Sequence, residues 1–279
     1  MPPSNPDSGG ADPDPVDRVR RAPPSFLPVA VQRVVPVGPR MLRVTLAGEA
    51  LRGFSVELPA ASVRLLVPLP GQPELVIPTW NGNEWLLPDG SRPAIRTFTP
   101  LHVDAGIGSM DLDVVVHESG TVCGWAATAQ PGDLAALSGP GRGYVIDPHA
   151  AALILAGDES ALPAITQLVE VAPAGLPLRI VVELTSPEAR LDLSVPPGAS
   201  VQWVELPAGS PPGSALLEAI GSMPIDADTQ VWVAGEAAGV QRIRKQLFDE
   251  REIARRQATV RGYWKQGRSG DAGSESPTD

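Results

Sequence analysis

Residues 153–160 read Leu153-Ile154-Leu155-Ala156-Gly157-Asp158-Glu159-Ser160, an apolar run that stops at a glycine followed by two acids. A short run that is apolar on both faces suits a strand covered on both sides, as in parallel sheets. The same chemistry returns at Val231-Trp232-Val233-Ala234-Gly235-Glu236. Around them lie LRIVVEL, VQWVEL and ATVRGYW, separated by helical patterns from Pro163 to Glu170, Ala215 to Ile220 and Ala237 to Phe248. Strands alternating with helices predict a parallel-sheet α/β domain over residues 149–267.

In such a sheet, ligands lie beyond the carboxyl ends of the strands. Glycine there lets the backbone approach a ligand. Ser160 suits an N-cap and Pro163 an early helical position, so the helix N-terminus would offer N–H groups to a phosphate. Two readings of the paired turns stand. Gly157, Asp158, Glu159, Ser160, Gly235 and Glu236 form one dinucleotide crevice, or they are turn chemistry with acids complementing helix dipoles. Gly139-Pro140-Gly141-Arg142-Gly143-Tyr144 misses the G-x-G-x-x-G spacing and reads as a connector.

Upstream, residues 25–148 carry short β-branched runs: PVAVQRVVPV, RMLRVTLAG, ASVRLLVPL, ELVI, AIRTFTPL, MDLDVVVH and DLAALSG. Turn signals such as Pro70-Gly71, Asn81-Gly82-Asn83 and Asp89-Gly90 separate them. The alternation predicts an antiparallel, six-stranded β-barrel, interrupted by one short helix from Val122 to Ala129. The composition shift at Asp147-Pro148-His149 marks the domain boundary. Residues 1–24 and 268–279 are Pro-, Ser-, Gly- and Asp-rich, and are expected to be disordered tails.

Composition narrows the functions. A formal net charge of −10 argues against nucleic acid and against an anionic membrane surface. One cysteine excludes an intramolecular disulfide and a Cys-rich metal site, and the three histidines show no metal spacing. No run reaches the about 18 apolar residues that span a bilayer, and the N-terminal stretch lacks signal-peptide features. A cytoplasmic monomer without membrane insertion is expected.

Arg96-Thr97-Phe98-Thr99 places a cation, an aromatic ring and a hydroxyl within one strand. A flavin needs these near its phosphates, its ring and its N5 respectively, and a period of two puts Arg96 and Phe98 on one face. The tetrapeptide is equally at home on an ordinary strand. His117, at the end of VVVH, also has two readings: a flavin-site residue, or a strand-end histidine bonded to backbone. Cys123 is a small buried apolar residue or part of a phosphate loop; Trp125 is barrel packing or a cofactor neighbour.

Taken with Gly120-Thr121-Val122-Cys123-Gly124-Trp125-Ala126, Gly157-Asp158-Glu159-Ser160-Ala161-Leu162-Pro163, Val233-Ala234-Gly235-Glu236-Ala237 and Gly262-Tyr263-Trp264-Lys265-Gln266-Gly267, the order and spacing of these motifs resemble the siderophore-interacting proteins over residues 28–267. These are ferric-siderophore reductases with a ferredoxin–NADP reductase-like fold. The resemblance implies FAD, with NADPH or NADH as electron donor, ferredoxin as an alternative redox partner and a ferric siderophore as substrate. It sets Arg96, Thr97, Phe98, Thr99, Val115 and His117 around the flavin, with Thr121, Val122 and Cys123 at the pyrophosphate. Trp125 and Trp264 become cofactor neighbours, and Thr99 supplies the catalytic hydroxyl. Arg142, Lys265 and the Arg242-Arg244-Lys245 helix are candidates to attract an anionic ferric chelate, and Glu183 to bond a ribose. Phe98, Leu101 and Cys123 depart from the Tyr, Arg and Ser of the family pattern, which predicts weaker FAD retention. A carrier or regulatory module with reduced flavin binding, or a general flavin or ferredoxin-linked reductase, are the alternatives.

Overall fold

The computed structural model describes residues 24–72, 74–117 and 120–267. Apart from Pro24, the expected tails lie outside the described residues. The chain begins with β1 (Leu27–Gly38), β2 (Met41–Ala47), β3 (Val63–Val67) and a small hairpin of β4 (Thr79–Trp80) and β5 (Trp85–Leu86). It continues with β6 (Ala94–Phe98), β7 (Pro100–Asp104), β8 (Ser109–Val115), α1 (Thr121–Thr128) and β9 (Leu134–Ser138). Seven of these strands form one antiparallel sheet in the order β6-β3-β9-β1-β2-β8-β7.

The expected barrel differs in strand count and in closure. AIRTFTPL is not one strand but two, β6 and β7, which lie at opposite edges of the sheet and meet through Thr99. β6 pairs with β3 up to Phe98 and β7 pairs with β8 from Pro100, so the chain changes ladder at Thr99. ELVI, read as a strand, is irregular from Glu74 to Ile77. Pro78, which ends that run, has no N–H to give a ladder. Val44, Leu46, Leu65, Leu112 and Leu137 fill the barrel, none of them more than barely exposed. Burial of each stabilises by about 2 kcal/mol.

The second half contains β10 (Ala152–Asp158), α2 (Leu162–Val171), β11 (Leu178–Leu184), β12 (Ser200–Glu205), α3 (Ser214–Ser222), β13 (Thr229–Glu236), α4 (Ala237–Lys245) and β14 (Ala258–Trp264). Five parallel strands run in the order β12-β11-β10-β13-β14. Winding reverses between β10 and β13, so the two Ala-Gly-acid turns sit side by side at the topological switch point. Helix α2 covers one face with Leu162, Ile165 and Leu168; α3 and α4 cover the other with Leu216, Ile220, Val240 and Ile243. Met41, Ala60 and Tyr144 from the first half join the core on the α2 side, so the two lobes share apolar surface.

Candidate functional site

At the switch point the acids turn toward the protein itself. Asp158 Oδ1 accepts from the Ser160 amide at 3.0 Å and the Ser160 hydroxyl at 2.5 Å. Its Oδ2 accepts from the Glu236 amide at 3.0 Å and from Trp264 Nε1 at 2.7 Å. One carboxylate thereby ties the ends of β10, β13 and β14 together. Burial pushes the Asp158 carboxyl up, the bonds from Ser160 and Trp264 oppose that, and the Glu183 charge adds to the rise.

Glu236 is buried; it accepts from the Gly239 amide at 2.8 Å, capping α4, and from the Gln266 amide at 3.2 Å. A Cβ on Gly235 would stand 2.7 Å from Asp158 Oδ2, and one on Gly157 would meet Ala161 Cβ at 2.4 Å and the Ala234 carbonyl at 2.7 Å. Both glycines are therefore demanded by the protein's own close packing. The helix start also differs from expectation: Asp158 caps the 3₁₀ turn Glu159–Ala161 through the Ser160 amide, and α2 itself starts after Ala161 with no side-chain cap. Pro163 enters the first turn of α2.

Both oxygens of Glu183 are engaged within the protein. It lies within β11, is buried, and accepts from the Gly213 amide at 2.6 Å and the Leu216 amide at 3.1 Å, so both oxygens cap α3. The Arg242-Arg244-Lys245 group is not brought to the crevice. Helix α4 starts at the carboxyl end of β13 and runs back along the sheet, placing these residues at its far end. Arg242 and Arg244 donate to the Pro212 and Val260 carbonyls. Lys265 follows Trp264 and is exposed, as is the side chain of Arg142 in the connector.

The first lobe is arranged differently. Arg96 and Phe98 share a face of β6, where Phe98 packs against the barrel core and Arg96 is half-buried; Thr97 faces outward. Thr99, in the seam between β6 and β7, is 6% exposed and its hydroxyl has no partner among the described residues. Val115 ends β8 and packs toward the second lobe's core. His117 follows, adjoining Gly120, where an added Cβ would lie 2.9 Å from His117 Cε1. Gly120, at φ +136°, precedes α1 with no side-chain cap, leaving the amides of Thr121, Val122 and Cys123 at the open helix end. Cys123 is buried, and its Sγ sits 3.2 Å from both the amide and the carbonyl of His117, pinning that residue. Partial burial, then the Arg40 and Arg96 charges, holds the His117 imidazole below 6.5. Trp125 packs on the barrel core.

Residues without any motif fix the two lobes to each other. Arg40 Nε donates to Glu159 Oε2 at 3.2 Å, and Glu159 Oε1 accepts from the amide of Thr185 at 2.8 Å and from its hydroxyl. Gln167 of α2 accepts from the Ala60 amide and donates to the Pro100 carbonyl. Arg261 donates to the carbonyls of Ala60, Arg142 and Gly143. Ala60 holds a left-handed φ of +52°, secured at both its amide and its carbonyl. Long-range pairs of this kind carry no local periodicity that sequence could reveal.

A family model described as the siderophore-interacting FAD-binding domain matches residues 30–144, and one described as siderophore-interacting protein matches residues 150–267. The chain belongs to the siderophore-interacting protein family. The ferric vibriobactin reductase ViuB of Vibrio cholerae is 33% identical, over 85% of this chain and 88% of its own. An NADPH-dependent ferric-chelate reductase of Escherichia coli is 28% identical over 86% and 92%. A siderophore utilization protein from T. fusca superposes with a TM-score of 0.77 at 33% identity, covering 89% of this chain and 95% of that one. A ferredoxin reductase of carbazole 1,9a-dioxygenase, at 12% identity and a TM-score of 0.64, shares the fold, over 87% of this chain and 70% of its own.

The residues of this siderophore-interacting protein suit FAD on their own chemistry. An uncapped helix start beside Arg96 and His117 suits a diphosphate. The unpartnered Thr99 hydroxyl in the open seam suits a polar ring edge.

Proposed function

We propose that the protein is an FAD-dependent reductase that takes electrons from NAD(P)H and delivers them to ferric siderophores, releasing Fe(II). The observation that carries this reading is the anion-accepting first lobe, facing a switch-point crevice across which Trp264 is held by Asp158. Bound FAD would supply the conversion of a two-electron donor into one-electron deliveries. Arg96, His117 and the amides of Thr121, Val122 and Cys123 hold its phosphates; Phe98 and Trp125 border it. Thr99 hydrogen-bonds the flavin ring from the seam.

The nicotinamide dinucleotide lies over Gly157–Ser160 and Gly235–Glu236. Because the carboxylates there are engaged, backbone groups and the exposed Trp264 face make its contacts. Arg142 and Lys265 attract the anionic ferric chelate, whose oxygen donors hold Fe(II) less tightly than Fe(III). Among the described residues no helix is long and apolar enough to cross a membrane. A monomer in the cytoplasm, where NAD(P)H is supplied, belongs to the same proposal.

Anaerobic mixing of NADPH or NADH with FAD-loaded protein and a panel of ferric siderophores tests this, with Fe(II) trapped by a chromogenic chelator. Fe(II) formation that depends on both FAD and protein is expected. Turnover of free flavin with no chelate reduction would overturn the reading.

A further inference from the structure

Arg40 belongs to no motif, yet it stands where the two lobes meet. Its carbonyl accepts from the Val116 amide at 2.7 Å, which sets it beside the strand end that delivers His117 to the start of α1. Among the described residues, Arg40 and Glu159 form the one ion pair that joins the lobes. The pairing is incomplete. Arg43 grips Asp113 with both Nε and Nη2, at 2.7 and 2.8 Å, whereas Arg40 gives Glu159 only Nε at 3.2 Å. The terminal nitrogens of Arg40 have no partner among the described residues, and its side chain is 34% exposed. A guanidinium matches a phosphate with two parallel N–H donors, and here such a pair is unused.

Leu101 is buried in β7, opposite Asp111, and brings no charge to the flavin lobe. The field of Arg40 nevertheless reaches His117, together with that of Arg96. His117 adjoins Gly120 at the start of α1, and Arg40 is tied to the neighbouring residue through the Val116 amide.

We propose that Arg40 is a phosphate-binding residue of the flavin dinucleotide site, held in position from the opposite lobe by Glu159. This rests on the flavin reading above. Glu159 orients the guanidinium through Nε, and the two terminal nitrogens donate to a phosphate of the dinucleotide. FAD retention is thereby linked to the seating of the second lobe on the first.

The test compares FAD with riboflavin, which has the same ring and no phosphate, by fluorescence titration of the full chain. Removing Arg40 alone would strand a buried carboxylate and endanger folding, so the informative variants are Glu159→Gln and the double variant Arg40→Gln/Glu159→Gln. Glu159→Gln keeps the cation but weakens its hold, and is expected to lose FAD affinity, though less than the double variant. The double variant is expected to lose roughly tenfold or more in FAD affinity, with riboflavin affinity unchanged. Equal FAD affinity in the wild type and the double variant would overturn the proposal, as would parallel losses of FAD and riboflavin. A wild-type chain that binds neither flavin would instead bring down the flavin reading itself, and this proposal with it.

Discussion

The two sides of the cleft spend their polar groups in opposite ways. On the α/β side, Asp158, Glu159, Glu183 and Glu236 all bond to groups of the protein itself, with Ser160, Thr185, Gly213, Gly239 and Trp264 among the donors. On the barrel side, among the described residues, the start of α1 has no side-chain cap, the Thr99 hydroxyl has no partner and Arg40 gives only its Nε. Polar groups that are buried must find partners, and those left open are available to a ligand. At the switch point the carboxylates hold the protein's own strand ends and helix starts.

The largest expected effect tests the tied side. Asp158→Asn places an amide donor among four donors and should destabilise the fold by about 3 kcal/mol. Thermal denaturation would measure this, and release of Trp264 would change its fluorescence. An unchanged melting temperature would mean that the Asp158 ties are dispensable. Next, Glu183→Gln weakens the α3 cap by about 1–2 kcal/mol. It should leave the NADPH-to-NADH preference unaltered in steady-state assays, whereas a shift in that preference would restore Glu183 as a ribose ligand.

On the open side, Thr99→Ala should slow flavin reduction by about tenfold, the loss of roughly one hydrogen bond. Stopped-flow absorbance would follow it, with FAD affinity retained. The smallest effect concerns pH. Because the folded His117 value lies below 6.5, the imidazole is neutral at neutral pH. Its contribution to stability is present above that ordinary value and is lost as pH falls through the folded value. A diphosphate nearby favours the imidazolium, so FAD affinity should rise a few-fold as pH drops below about 6.5. Titrations with His117→Asn should show a flatter dependence.

The contrast between the lobes also explains which features could be read in advance. The apolar runs at Leu153–Ala156 and Val231–Ala234 announced buried parallel strands, because a strand covered on both faces must be apolar on both. The resemblance brought out Arg96, His117 and the start of α1 as an assembled group. Arg40, Gln167 and Arg261 were invisible, since each acts across the lobe junction on a residue between 67 and 201 positions away. The chain changes ladder at Thr99, and a pattern of alternating residues does not show where a run will change its partner strand.

By itself, the sequence determined the order of the lobes, the strand-rich first half, the wound second half and the motifs of its family, because all of these follow from local periodicity and composition. Only the tertiary structure decided where the acids point. A carboxylate after a strand has the same sequence signature whether it faces a ribose or caps a neighbouring helix. The choice depends on which unpaired amides the fold brings within reach, and that is a property of packing.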